Sequence, residues 1–136
     1  MIVYKYRRES GKLKEFVYRP VADIEILGND GLWYYVTAYI DSGADISLIP
    51  YSLGLSMGFK MSAQRIIELE GVGGKAIPIT VIKTKVKFSE SLIYDVEVGW
   101  ALIDGVPILL GRHTIFDKFN ITFKEKEGKI IFEPVE

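Results

Sequence analysis

One segment limits what this chain can fold into: Ala38-Tyr39-Ile40-Asp41-Ser42-Gly43-Ala44-Asp45-Ile46-Ser47-Leu48-Ile49-Pro50. Trp33 to Ile40 is rich in aromatic and β-branched residues, the composition of a half-buried strand. That strand runs straight into Asp41 and turns at Ser42-Gly43, where Gly43 permits a sharp bend and a close approach by another chain segment. A carboxylate at this point is expected at the end of a buried strand rather than on a solvated face. Two carboxylates brought together cannot both ionise easily. The chain has one such motif, so a second Asp41 must come from a second copy. This predicts a symmetric dimer sharing a two-aspartate site.

The remaining pattern reads mostly as strands. Ala22, Ile24 and Ile26 share one face, with Asp23 and Glu25 on the other. Gly28-Asn29-Asp30-Gly31 is a hairpin turn, because Gly and Asn tolerate positive φ. In the long stretch from Ala76 to Phe88, the residues Ile82, Thr84, Val86 and Phe88 alternate with Lys83, Lys85 and Lys87, giving one wet face. Ile66 to Glu70, Leu92 to Val98 and Ile108 to Leu110 are further strands, and Ile121 to Lys126 with Lys129 to Phe132 form a last hairpin around Glu127-Gly128. Pro50 to Met57 reads as a short helix or irregular turn, and Thr114 to Phe119 as one or two helical turns. At the front, Tyr4 and Tyr6 alternate with Lys5 and Arg7, and Leu13 to Tyr18 returns as their partner across Glu9-Ser10-Gly11-Lys12. The expectation is a single, mostly β domain with little helix.

With 136 residues and a net charge of -1, the chain suits one domain with a sizeable core and shows no bulk charge for nucleic acid. Residues 1–20 carry six Lys/Arg and two Glu interleaved with tyrosines, yet a solvated hairpin face is the commoner reading, so nucleic acid is not the expected partner. There are no cysteines, which excludes disulfides, thiolate catalysis and Cys-based zinc sites. His113 is the only histidine; it is read as structural, and no metal or cofactor is expected. The opening residues lack the apolar run of a signal peptide, and no apolar stretch approaches the roughly 20 residues that span a bilayer. A cytoplasmic location without membrane contact is the expectation.

Three segments together resemble the retropepsin-like aspartic peptidases, the single-lobe dimeric relatives of pepsin. The first is Asp41-Ser42-Gly43-Ala44-Asp45 followed by Ser47-Leu48-Ile49-Pro50. The second, Gly71-Val72-Gly73-Gly74 between two strands, looks like the flap tip. The third is Ile108-Leu109-Leu110-Gly111-Arg112 followed by a helical segment. Asp-Ser-Gly alone is a weak signal, but the order and approximate spacing of all three match over residues 20 to 133. The sequence departs from the pattern in a longer segment between Asp41 and the flap, in residues 1 to 19, and in His113, where the family often has Asp or Asn.

The resemblance implies an all-β, pepsin-like closed barrel or sandwich lobe with one short C-terminal helix, acting as a symmetric homodimer. Residues 1–19 would be an N-terminal extension in hairpin form, and 20–136 the protease domain. By the same resemblance, Asp41 of each subunit flanks one water. The ionised carboxylate acts as general base, and the protonated one donates to the scissile carbonyl. Ser42 would hydrogen-bond across the dimer, Gly43 would offer its carbonyl to substrate, and Asp45 would pair with Arg112, where either could instead be a surface charge. Gly43, Ala44, Asp45, Leu48, Gly71, Val72, Gly73 and Leu109 would meet the substrate; Leu48, Val72 and Leu109 are equally compatible with plain core positions. Taken alone, Asp41-Ser42-Gly43 is also compatible with an Asx-type turn ending a strand. The implied function is an aspartic endopeptidase acting on extended polypeptide. The alternative is a non-catalytic peptide- or protein-binding module on the same fold.

Overall fold

The computed structural model describes residues 1–61, 65–71 and 74–136. Its centre is a closed barrel. β4 (Val21–Leu27), β5 (Trp33–Ile40), β10 (Leu109–Leu110), β6 (Ser47–Ile49), β9 (Leu92–Ala101) and β8 (Ala76–Ser89) are hydrogen-bonded in that order. Pairing of Glu25 with Lys87 and Ile26 with Val86 joins β4 back to β8 and closes the ring. β7 (Ile66–Glu70) extends from β8 outside the ring.

The expected alternation is present. Ala22, Ile24 and Ile26 on β4 and Val36, Ala38 and Ile40 on β5 point into one core with Ile82, Val86 and Phe88 of β8. Lys83 and Lys85 are exposed, and Lys87 lays its ammonium 4.4 Å from the Trp33 ring centre. Gly31, at φ +83, makes the β4–β5 turn, which Gly28 closes by donating its N–H to the Leu32 carbonyl at 2.8 Å. A second, smaller core of Leu48, Ile79 and Ala101 is edged by Ile46, Leu69, Ile77, Val81, Val106 and Leu109. The barrel therefore has two apolar fillings, and the smaller lies beside the β7–β8 hairpin.

The front and the end of the chain meet. β1 (Ile2–Lys5) pairs with β12 (Lys129–Pro134), which pairs in turn with β11 (Phe119–Lys124). Tyr4 packs edge-on against Phe132 at 5.4 Å, and Phe88, Phe119 and Phe132 join this small sheet to the barrel. The front hairpin exists, but it is β2 (Arg7–Ser10) with β3 (Phe16–Arg19). The Tyr4 stretch pairs with the last strand instead. A local hairpin would leave Ile2 and Tyr4 on an open ribbon, whereas the distant partner packs both against the core.

Among the described residues the α-helix is α1 (Tyr51–Ser56), directly after β6. Its Gly54 faces the fully buried Trp100 of β9, whose indole N–H donates to the Tyr51 carbonyl at 3.1 Å while the Tyr51 ring stacks on it. The C-terminal segment read as helical winds only as a 3-10 turn, Phe116–Lys118. Thr114 at φ +62 breaks the backbone before it, and Phe119 enters β11 immediately after it, so no room remains for an α-turn. Among the described residues, no helix is long and apolar enough to cross a membrane.

A methyl group on Gly54 would land on the Trp100 indole. Gly54→Ala is predicted to cost about 1–3 kcal/mol by overpacking, read as a lower urea midpoint followed by tryptophan fluorescence; unchanged stability would contradict this packing.

Candidate active site

β5 carries the chain from the buried Ile40 to Asp41, whose N–H donates to the Leu110 carbonyl at 3.0 Å. The Gly43 N–H donates to Asp41 Oδ1 at 2.9 Å, and the Ala44 N–H to the Asp41 carbonyl at 3.2 Å. This is the Asx-type turn that the residues alone allowed. It also fixes one carboxylate oxygen, Oδ1. The carboxylate is not withdrawn from solvent as its strand suggested: Asp41, Ser42 and Gly43 are all exposed in the single chain. On β5, the core-facing burial ends at Ile40, and the turn that follows is exposed.

What holds the turn is β10. It lies parallel to β5, with Leu110 opposite Ile40, and antiparallel to β6, with Leu109 opposite Leu48. Gly111 then passes beneath the loop that leaves Asp41. A Cβ there would stand 2.6 Å from the Ile46 carbonyl carbon and 2.7 Å from the Ala44 oxygen, so any side chain is excluded. The Gly111 N–H donates to Ser47 Oγ at 3.0 Å in a buried site, the Arg112 N–H to the Ala44 carbonyl at 2.9 Å, and the His113 N–H to the Asp45 carbonyl at 2.8 Å. Asp41-Ser42-Gly43-Ala44-Asp45 and Leu109-Leu110-Gly111-Arg112 are thus one stitched unit. Ser47, 1% exposed, was given no role from sequence. Its signal was a hydroxyl inside an otherwise apolar run, which must find a partner when buried.

Asp45 and Arg112 do not form the expected ion pair. Both side chains are exposed, and Arg112 lies 5.9 Å from the Phe116 ring centre; among the described residues no salt bridge joins the two. Their segments meet through backbone groups instead, and an exposed pair would add little. His113 Nε2 lies 2.7 Å from Glu97 Oε1 on β9. Leu48 is buried in the smaller core and Leu109 is half-buried at its edge, so Leu109 is the more open of the two.

The β7–β8 hairpin stands next to this core through Leu69 and Ile77. At its end the Gly71 N–H donates to the Lys75 carbonyl at 2.8 Å, and Gly74 takes φ +78. Val72 and Gly73, read as the flap tip, lie outside the described residues. A groove of about 820 Å³ elsewhere runs along Lys83–Lys85 and Asp95–Glu97 to the Gly28 turn, and neither Asp41 nor its turn lines it. Among the described residues no group of three or more His, Asp or Glu side chains is placed to hold a metal ion.

No protein-family model matches this sequence, and no curated protein matches it. Solved structures do. The EIAV protease in complex with the inhibitor HBY-793 superposes with TM-score 0.53 at 21% identity, covering 69% of this chain and 82% of that one. A retropepsin-like aspartic protease from Rickettsia conorii superposes with TM-score 0.62 at 14% identity, covering 94% of this chain and 99% of that one. The fold of this chain is therefore that of a retropepsin-like single lobe, a nearly all-β closed barrel with one short α-helix among the described residues.

Proposed function

We propose that this chain is one half of a homodimeric aspartic endopeptidase that hydrolyses peptide bonds in extended polypeptide. The observation that carries the reading is the exposed Asp41 carboxylate, held at the barrel's end on a turn stitched to Gly111. One chain presents one such carboxylate on an open surface, and aspartic chemistry needs two. A second copy related by a twofold axis through the Asp41 turns would supply it.

In that dimer the two carboxylates share one proton. The ionised Asp41 takes a proton from the bound water as it attacks the scissile carbonyl carbon. The protonated Asp41 donates to the carbonyl oxygen, giving a tetrahedral diol. Return of a proton to the nitrogen then releases the amine. Substrate would lie as an added strand between the Gly43 carbonyls and the hairpin that includes Gly71, Val72, Gly73 and Gly74, with Leu109 at an apolar side-chain pocket. Ser42 would bond across the axis, and Ala44, Asp45 and Leu48 would border the subsites. We place the catalytic half-site in residues 20–136, assign residues 1–19 to its flank, and keep a cytoplasmic location.

Asp41→Asn is predicted to lower cleavage of an unfolded protein substrate in mild acid by about a hundred- to ten-thousandfold, while the fold persists. Retained activity would contradict the reading, and selective peptide binding by a wild type without turnover would favour the binding module. Ser47→Ala orphans the buried Gly111 N–H and is predicted to cost about 1–3 kcal/mol of stability, with a matching fall in cleavage; a variant as stable and active as wild type would show that the stitch does not hold the turn.

A further inference from the structure

Tyr39 precedes Asp41 by two residues, so the two side chains leave the same face of the chain. The partners of Tyr39 are Val21 on β4 and Leu109 on β10, and Leu109 lies opposite Leu48 on β6. Directly paired residues share a face of the sheet. Leu48, Leu109, Tyr39 and Val21 therefore form one row across four strands. Tyr39, two residues before Asp41, is the member of the row that carries a polar group, its phenol hydroxyl.

That hydroxyl is held by the front hairpin. It donates to Glu9 Oε2 at 2.7 Å and accepts from Arg7 Nη2 at 3.1 Å. Glu9 Oε2 also accepts from Arg7 Nε at 2.9 Å and Nη2 at 2.7 Å, and Glu9 Oε1 is 3.3 Å from Arg19 Nε. The hairpin is anchored at the end of β5 that delivers Asp41, because the carbonyl of Pro20, the residue after β3, accepts the Ile40 N–H at 3.0 Å. Two guanidinium groups thus face one carboxylate, leaving one positive charge in excess. Solvent reaches the arginines, 46% and 55% exposed, far more than Glu9 at 21%. The Tyr39 hydroxyl and Arg7 hold the Glu9 carboxyl below its ordinary range.

We infer that Arg7 and Arg19, set by Glu9 and Tyr39, form a cationic wall beside Asp41 that selects extended polypeptides carrying an acidic side chain close to the bond presented to that carboxylate. This rests on the peptidase reading for where the peptide lies. Planar guanidinium forks with unused N–H groups match a carboxylate in geometry as well as charge. Glu9 and Tyr39 act as positioning residues, since they orient the arginines.

The test uses the full chain bearing Asp41→Asn, so that binding is measured without turnover. The probes are blocked extended peptides that differ only in Glu or Gln at a single position on either side of the central bond. The Glu peptide of at least one pair is expected to bind about threefold to fivefold tighter at low salt, with the difference shrinking as salt rises. Adding Arg7→Gln or Arg19→Gln should erase the difference, whereas adding Glu9→Gln should enlarge it, because the Gln amide oxygen still accepts from Arg7 and keeps the arginines oriented while their counter-charge is lost. Equal binding within every pair, no peptide binding, or a loss of discrimination in Glu9→Gln as in Arg7→Gln would overturn the inference; the last would reduce the network to a brace. Wild type that cleaves Glu and Gln peptides alike removes this inference and leaves the peptidase. Selective binding without wild-type cleavage removes the peptidase and leaves the wall.

Discussion

The backbone crossing at Gly111 is the constraint on which the rest of this structure depends. Three N–H groups in a row, from Gly111, Arg112 and His113, are satisfied by the loop that follows Asp41, through Ser47 Oγ and the carbonyls of Ala44 and Asp45. The crossing is so close that no Cβ fits at Gly111. It draws β10 between β5 and β6, which would otherwise be unlinked, and so completes the hydrogen-bonded ring. Closing the barrel and aiming Asp41 are a single event in this fold. A chain that lost the crossing would lose both.

Rigidity and exposure are combined at Asp41. Its backbone is fixed by the Leu110 carbonyl and its Oδ1 by the Gly43 N–H, yet the side chain lies in solvent. An exposed, oriented carboxylate at a barrel's end contributes little to the stability of one chain. In the proposed dimer it would acquire a chemical use, because a second copy would exclude water around it and let fixed charges and dipoles act more strongly. In the proposed dimer, the smaller core of Leu48, Ile79 and Ala101 would give that surface an apolar border and the Arg7–Glu9–Arg19 cluster a charged one, so the two sides would favour different side chains.

Much of this was legible because local rules and the fold agree. The alternation at Ala22, Ile24 and Ile26, the Gly28-Asn29-Asp30-Gly31 turn, and the pairing of an Asp-Ser-Gly turn with a later Leu-Leu-Gly-Arg all follow from period, turn chemistry and resemblance. What was not legible depends on distant partners. Tyr4 could not announce Phe132, more than a hundred residues away, and Tyr39 gave no sign that Glu9 and Arg7 would claim its hydroxyl. Asp45 and Arg112 illustrate the opposite case: opposite charges at suggestive positions whose side chains stay apart because the backbone already joins their loops. The exposure of Asp41 was misjudged because strand burial stops one residue earlier, at Ile40. Ser47 was the readable signal that went unassigned, since a hydroxyl in a buried run always raises the question of its partner.

The central claim is that two Asp41 carboxylates, one from each copy, act together on one water. Mixing wild type with Asp41→Asn at constant total protein, under conditions of free subunit exchange, tests it directly. If both copies contribute, cleavage falls as the square of the wild-type fraction, because only wild-type pairs are active. A linear fall would mean that each chain works alone, and the shared two-aspartate site would be wrong.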